Sequence, residues 1–225
     1  MTSTALVSLV GIALTAGIAH ADIDSLNPNA LDLSVIDYPV APTPRSLELS
    51  FAGGYAQGVG GAGSEGSVED LSGPGGSLEA QLGLRLSPRL SIGAYGTLAR
   101  FRRGDLMADG NESWGATLGI QAIIHARPAR SVDPWLGLGT GVRGLWLTAP
   151  DAPSNRAYGL ELARLQLGVD FRISSAIAIS PVIGASASLW LAEDTPATEG
   201  LTSVSDNRLN LYVFTGLAGR FDVRL

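Results

Sequence analysis

The last stretch of the chain, residues 207–225, alternates between apolar and polar positions with a period of two. From Leu209 onward no odd position carries a charge, whereas Arg220, Asp222 and Arg224 all occupy even positions. This period is typical of a β strand with one apolar and one polar face. A strand whose apolar face meets hydrocarbon cannot leave its edge unpaired, because each exposed backbone group would cost several kcal/mol. The pattern therefore predicts that this strand pairs with an earlier one and closes a barrel.

Seven earlier segments show the same alternation. They are residues 46–55, 77–86, 90–98, 113–125, 133–146, 163–171 and 177–189. With the terminal stretch they predict an all-β fold, an eight-stranded antiparallel up-and-down transmembrane β-barrel. Pro181 interrupts the seventh segment, and because proline cannot donate a hydrogen bond to its neighbour we expect a bulge or a local break near it.

The position of the charges decides which face of these strands points outward. In the central part of all eight segments the apolar register holds no charge. The charges in the other register are Glu48, Glu79, Arg85, Arg143, Arg164, Asp170, Arg220 and Asp222. A charge on a lipid-facing position costs about 2–4 kcal/mol at the membrane midplane, and a soluble barrel would instead carry its charges outside. We therefore predict a lipid-facing apolar exterior and an interior salt-bridge network, with no open pore because eight strands leave room only for side chains.

The connections between the predicted strands alternate in length. The long ones are residues 59–76, 102–112, 148–157 and 192–206, and the shorter ones are 87–89, 127–133 and 174–175. Since outer-membrane barrels have long extracellular loops and short periplasmic turns, both chain termini are expected in the periplasm. The long loops are acidic, which fits either divalent-cation bridging to lipopolysaccharide or a basic partner, or else simple loop solubility. Trp114, Trp146 and Trp190 near the outer strand ends and Trp135 near the inner end suggest an aromatic girdle, with core packing as the alternative.

The remaining composition sets the boundaries of the chain and excludes some functions. Residues 1–21 read as a signal peptide with an Ala19-His20-Ala21 exit, residues 22–44 as a proline-rich periplasmic leader of weak order, and residues 45–225 as the barrel. The absence of cysteine excludes disulfides and cysteine-based metal sites. The net charge of -6 argues against a nucleic-acid partner.

The chain resembles the small eight-stranded outer-membrane β-barrel proteins, such as the OmpA transmembrane domain, OmpX and the OmpW-like barrels. The resemblance covers residues 45–225 and lies in the alternating strands, the stretch PWLGLGTGVRG from Pro134 and the terminal GRFDVRL. It implies location in the outer membrane of a Gram-negative cell, a monomer, contact with membrane lipid and lipopolysaccharide, and recognition by the barrel-assembly machinery. The recognition signal would be Phe221, Val223 and Leu225, although the last position of the family is more often Phe or Trp.

Little in the sequence points to chemistry. Residues 139–144 match GxGxxG, but they lie within a predicted strand and open no helix, so nucleotide binding is not expected. His125 is the only histidine after the signal peptide and has no partner that the sequence can name. No cofactor or metal is expected. The leading hypothesis is a non-enzymatic structural or interaction barrel. A narrow porin-like channel or conduit for small or hydrophobic compounds is the alternative, and an outer-leaflet lipid-modifying enzyme is the third.

Overall fold

A computed structural model describes residues 38–40, 43, 45–60, 68, 72–104, 112–149, 152–194, 200–204 and 209–225. The predicted signal peptide and residues 22–37 of the predicted leader lie outside the described residues. In the described part of the chain, no helix has the length and hydropathy that crossing a membrane requires.

Eight long antiparallel strands form a closed barrel, as the alternation predicted. The strands are β1 (Ser46–Gly60), β2 (Ser72–Ser87), β3 (Leu90–Arg103), β4 (Glu112–His125), β5 (Val132–Ala149), β6 (Ala152–Arg172), β7 (Ile177–Asp194), the two-residue β8 (Thr202–Ser203) and β9 (Leu209–Arg224). Each long strand pairs with its neighbours in sequence, β7 pairs with β9, and β9 pairs with β1. The terminal strand thus closes the sheet, and β8 adds a short extension beside β7 at Ala192 and Glu193.

The barrel is apolar outside and polar inside. Leu118 and Ile120 on β4 are each 64% exposed, and Leu78 on β2 is 69% exposed. The side chains between them point inward, where charged and amide groups are buried. This is the inverse of a water-soluble barrel, in which exposed positions carry the charge. We call the end with the connections 88–89, 126–131 and 173–176 the turn end, and the opposite end the loop end.

A bulge in β6 changes the register of the sequence pattern. Glu161 pairs with Gly141 of β5 and Ser188 of β7, whereas Arg164 pairs with Gly139 and Ser186, so β6 holds one residue more than both neighbours between these points. Leu162 and Ala163 consequently both face outward. One extra residue in a strand reverses the side of the sheet to which all later side chains of that strand point. The bulge therefore keeps Glu161 inside, although it has the same parity as the outward Leu165.

Two local predictions have different outcomes. Near Pro181 the β6–β7 ladder lacks two successive pairs while its register continues unchanged from Val182 to Ile179, which confirms a local break. The predicted long connection 148–157 is wrong, because β5 and β6 continue pairing through Leu147 with Asn155 to Ala149 with Ala152.

Tyr38, Val40 and Thr43 lie against the turn end. The backbone N–H of Val40 donates to the carbonyl of Ala129 at 3.0 Å, and the Tyr38 hydroxyl donates to the carbonyl of Arg172 at 3.1 Å. The Thr43 hydroxyl donates to the carbonyl of Ser175, also at 3.1 Å. These contacts tie the segment before β1 to the β4–β5 and β6–β7 turns.

Removing the bulge should leave both faces of β6 intact. Deletion of Leu162 makes both ladders continuous between Glu161 and Arg164, so we expect a folded barrel. Deletion of Leu167, in a regular part of the same strand, turns residues on one side of the cut to the wrong face and should abolish folding. Far-ultraviolet circular dichroism and protease resistance after refolding into detergent micelles measure both. Equal behaviour of the two deletions would contradict this account of the bulge.

Candidate functional site

The interior of the barrel contains three successive layers of side chains. The turn-end cluster consists of Glu48, Arg85, His125, Asp133, Asp170, Arg172, Arg220 and Asp222, all buried. The middle cluster consists of Glu79, Tyr95, Arg143, Glu161, Arg164 and Gln166. The apolar cap toward the loop end consists of Ala56, Val68, Ala99, Phe101, Leu145, Trp190, Val204 and Tyr212.

Arg220 of β9 is the centre of the turn-end cluster. Its Nη1 lies 3.0 Å from Asp170 Oδ2, 3.0 Å from His125 Nε2 and 3.4 Å from Glu48 Oε1. Its guanidinium carbon also lies 5.1 Å from the centre of the Trp135 ring. One cation therefore contacts groups from four other strands, which makes it the residue on which this layer depends most.

The neighbours of His125 fix its protonation. An arginine can only donate hydrogen bonds, so the contact with Arg220 requires Nε2 to be an acceptor. The proton then lies on Nδ1, which donates to Asp133 Oδ2 at 2.8 Å. Asp133 also accepts from the backbone N–H of Arg127 at 2.8 Å and pairs with Arg172 at 3.6 Å. The cluster holds four carboxyl groups against three guanidinium groups.

Arg85 and Arg172 complete the turn-end cluster from opposite sides. Arg85 Nη2 lies 3.4 Å from Glu48 and 3.6 Å from Asp222, and Arg172 Nη1 lies 3.5 Å from Asp222. The Ser91 hydroxyl bonds Glu48, as the Ser180 hydroxyl bonds Asp170. Each carboxyl group thereby faces at least one cation, as buried charge requires.

The middle cluster is balanced in charge. Arg143 pairs with Glu161 at 2.9 Å and donates to the hydroxyls of Thr117, Ser186 and Ser188. Arg164 pairs with Glu79, which also accepts from Gln166 at 3.1 Å. The two guanidinium groups stack on tyrosine rings, Arg143 at 3.8 Å from Tyr212 and Arg164 at 4.2 Å from Tyr95. The Tyr95 hydroxyl bonds Glu161 and joins the two ion pairs into one network.

The apolar cap fills the interior toward the loop end. The Phe101 and Tyr212 rings lie 6.2 Å apart, and Val68 and Val204 enter from the connections beyond the strands. A cavity of about 60 Å³ lies between this cap and the middle cluster, lined by Phe101, Arg143, Arg164 and their neighbours. That volume holds a few water molecules.

All eight residues of the predicted interior network point inward. Glu48, Arg85, Asp170, Arg220 and Asp222 lie in the turn-end cluster, and Glu79, Arg143 and Arg164 lie in the middle cluster. No ion pair among the described residues joins the two sets, so they form two networks.

Besides Tyr95 and Gln166, sequence reasoning missed four members of these networks: His125, Asp133, Glu161 and Arg172. Asp133 and Arg172 have the inward parity of their strands: Asp133 is the first residue of the predicted fifth segment, and Arg172 lies one residue beyond the sixth. Glu161 has outward parity, and only the bulge at Leu162 brings it inside. His125 has inward parity, but its partners come from β5 and β9, a proximity that the sequence does not contain.

Only two of the four tryptophans of the predicted aromatic girdle lie on the outer wall. Trp114 is 41% exposed and Trp146 is half-buried on the outer wall. Trp135 and Trp190 are each 4% exposed and lie inside the barrel. The prediction for these two was wrong, because both occupy the inward parity of their strands and fill the interior as core residues.

The turn-end cluster also contains a group of possible metal ligands. One ligand atom from each of His125, Asp133 and Asp170 lies within 4.8 Å of the others. Arg220, however, already contacts His125 Nε2 and Asp170 Oδ2 at 3.0 Å. Its guanidinium supplies the positive charge there, so the donor set does not fit an additional cation.

A closed barrel of eight antiparallel strands with an apolar exterior and a charged interior is the fold of the small outer-membrane β-barrels. Among solved structures, the chain is similar to Neisserial surface protein A, with 14% identity, coverage of 78% of this chain and 96% of that one, and a TM-score of 0.51. This similarity shows a shared fold.

Two further outer-membrane proteins match less closely. Ail, the attachment invasion locus protein of Yersinia pestis, matches with 14% identity, coverage of 78% of this chain and 99% of that one, and a TM-score of 0.42. OprG of Pseudomonas aeruginosa matches with 10% identity, coverage of 79% and 97%, and a TM-score of 0.45. No protein-family model and no curated protein sequence matches the chain.

Loss of Arg220 should destabilise the barrel strongly. Arg220→Met leaves Glu48 and Asp170 without this cation in a cluster already short of positive charge, so we expect a loss of about 3–5 kcal/mol in the free energy of unfolding. Asp222→Asn should cost less, because it removes a carboxyl from the cluster that has one in excess. Guanidinium titrations in detergent micelles measure both.

Arg89→Met is the control for the loss of an arginine. Arg89 is exposed in the β2–β3 turn, so its replacement should change stability by no more than about 0.5 kcal/mol. An Arg220→Met barrel as stable as the Arg89→Met barrel would mean that the network contributes little.

Proposed function

We propose that this protein is a non-enzymatic integral outer-membrane β-barrel with a structural or interaction role. The observation that carries the proposal is the distribution of polarity: in their central part the strands bury their charges inside a closed barrel and present leucine, isoleucine and phenylalanine outside. Such an exterior is unfavourable in water and suited to hydrocarbon. The barrel with its packed interior then serves as a rigid support for the loops.

The filled interior weighs against a channel or conduit. Two charge networks and the apolar cap succeed one another along the barrel axis, and the cavity between them measures only about 60 Å³. Eight-stranded barrels are generally just wide enough for their own side chains. A steady, water-filled conductance in planar bilayers would favour the channel instead.

The surroundings of His125 weigh against the lipid-modifying enzyme. Its side chain is completely buried at the turn end, and both ring nitrogens are occupied, by Asp133 and by Arg220. A general acid or base needs contact with its substrate. The arrangement therefore supports a role in stability for this histidine.

The orientation and the partners belong to the same proposal. Short turns are typical of the periplasmic end, which supports a periplasmic location of both termini and an extracellular location of the acidic connections. Most of the acidic residues in those connections lie outside the described residues. Phe221 and Val223 face outward on β9 and Leu225 is exposed directly after it, where the barrel-assembly machinery would read the three as a terminal signal. We expect a monomer surrounded by outer-membrane lipid and lipopolysaccharide.

The first test is gel migration of the outer-membrane fraction with and without boiling. A closed barrel in its membrane resists detergent, so the unboiled sample should run faster than the boiled one. The same chain refolded into micelles should show the same shift. A protein that fractionates as soluble and shows no shift would overturn the membrane assignment.

A second test introduces charge on the outer wall. Ile120→Arg places a charge near the middle of the apolar face and should cost about 2–4 kcal/mol in lipid vesicles, whereas Thr148→Arg at the loop end should cost about 0–1 kcal/mol. Both positions face outward. Equal costs measured by guanidinium unfolding from vesicles would indicate that this face does not meet hydrocarbon.

A further inference from the structure

One row of side chains on the outer wall combines arginine and tryptophan. The strand registers place Arg100 of β3 beside Trp114 of β4, Trp114 beside Trp146 of β5, and Trp146 beside Arg156 of β6. All four positions point away from the barrel interior. Arg102 lies two residues after Arg100, on the same face and nearer the loop end, and its side chain is exposed.

The arginines at the two ends of this row are accessible. The side chain of Arg100 is 59% exposed, its guanidinium lies 5.3 Å from the Trp114 ring, and it pairs with Glu112 through Nη2 alone. Arg156 is exposed at the other end. Since a guanidinium has five N–H donors, Arg100 retains donors for a second anion. The row therefore offers an arginine at each end, with Glu112 beside Arg100 and Asp194 opposite Arg156, and two aromatic rings between them.

An apolar groove of about 770 Å³ lies directly below the row, on the side toward the turn end. Gly96, Ala116 and Gly144 form its floor, because they are the small residues on three adjacent strands. The Trp146 ring covers Gly144 and meets the Tyr158 ring edge-on at 6.4 Å. The volume is within the range of roughly 300–1,000 Å³ that is typical of ligand pockets.

We propose that this face binds one phosphorylated glycolipid of the outer leaflet, with an acyl chain in the groove and phosphate groups on Arg100 and Arg156. This inference rests on the proposed membrane location and orientation. In that orientation the row lies where tryptophan marks the boundary between headgroups and hydrocarbon. The groove then opens into the acyl layer, where a water-soluble partner could not reach it.

The spacing of the arginines indicates the kind of headgroup. Three strand-to-strand steps separate Arg100 from Arg156, about 14 Å at the usual spacing of strands. One phosphate cannot bridge that distance, whereas a disaccharide with a phosphate at each end can approach both. Arginine also binds phosphate through paired N–H donors, which favours phosphate over a neutral sugar. The lipid that fits is therefore bisphosphorylated, as lipid A is.

The test is a titration of the full-length barrel in detergent micelles with bisphosphorylated lipid A, read by native mass spectrometry. Monophosphorylated lipid A and phosphatidylglycerol serve as the comparison lipids. We expect one bound lipid A, weaker binding of the monophosphorylated form, and the weakest binding for phosphatidylglycerol. Equal affinity for lipid A and phosphatidylglycerol would overturn the proposal.

Two matched pairs of variants locate the site. Arg100→Gln with Arg156→Gln should weaken lipid A binding by about tenfold or more, since two charge-assisted contacts are lost. Arg89→Gln with Arg224→Gln removes the same charge from the exposed turn end and should leave binding unchanged. Equal losses in the two double variants would mean that only net charge matters and would contradict a defined site.

The second pair tests the groove without changing charge. Gly96 and Gly53 both lie on the outer wall, and a Cβ added to either meets its nearest neighbour at 3.9 Å or 3.4 Å, so both accept a larger side chain. Gly96→Leu fills the groove and should weaken lipid A binding severalfold, whereas Gly53→Leu on β1 should not. Unchanged binding in Gly96→Leu would overturn the groove assignment.

Heat-dependent gel migration separates this inference from the proposed function. Variants that keep the shift but bind lipid A like the unmodified chain would overturn the lipid site alone. Absence of the shift in the unmodified chain would overturn the membrane barrel and the lipid site together. If the double arginine variant does not fold, the glycine pair still decides the question.

Discussion

The whole structure depends on the inability of hydrocarbon to solvate charge or to form hydrogen bonds. Because no water is available there, every backbone N–H and C=O of a membrane strand needs a partner on a neighbouring strand. The pairing of β9 with β1 meets this need by leaving no edge among the eight long strands. The same constraint sends the charges in the central part of the strands to the interior, so the barrel must solvate these ions with one another.

The interior side chains pair their charges in successive layers along the barrel. Arg220 collects carboxyl and imidazole groups from several strands at the turn end, while Arg143 and Arg164 each pair with one carboxylate and stack on a tyrosine in the middle. A buried ion pair adds little stability over an apolar pair of the same shape, but a broken pair is costly. The networks therefore penalise any strand register other than the observed one, and the apolar cap closes the remaining space.

The composition of the outer wall is less uniform than contact with hydrocarbon alone would require. A surface needed only to meet hydrocarbon would be satisfied by any apolar side chains. Instead, cross-strand neighbours on β3 to β6 place two tryptophans between two arginines and leave a groove over small residues below them. This local departure is the part of the exterior that suggests recognition of one kind of lipid.

The sequence by itself determined the fold class, because a period of two with charge confined to one register follows directly from strand geometry and the cost of charge in lipid. It also determined the inward face of residues such as Glu79 and Asp170, since parity along a regular strand is local information. Only the tertiary structure decided the place of Glu161, because a bulge resets parity without a signature in composition. It also decided which charges meet: the contacts of Arg220 with His125 and Asp170 join residues far apart in the chain, and barrel closure alone brings them within hydrogen-bonding distance.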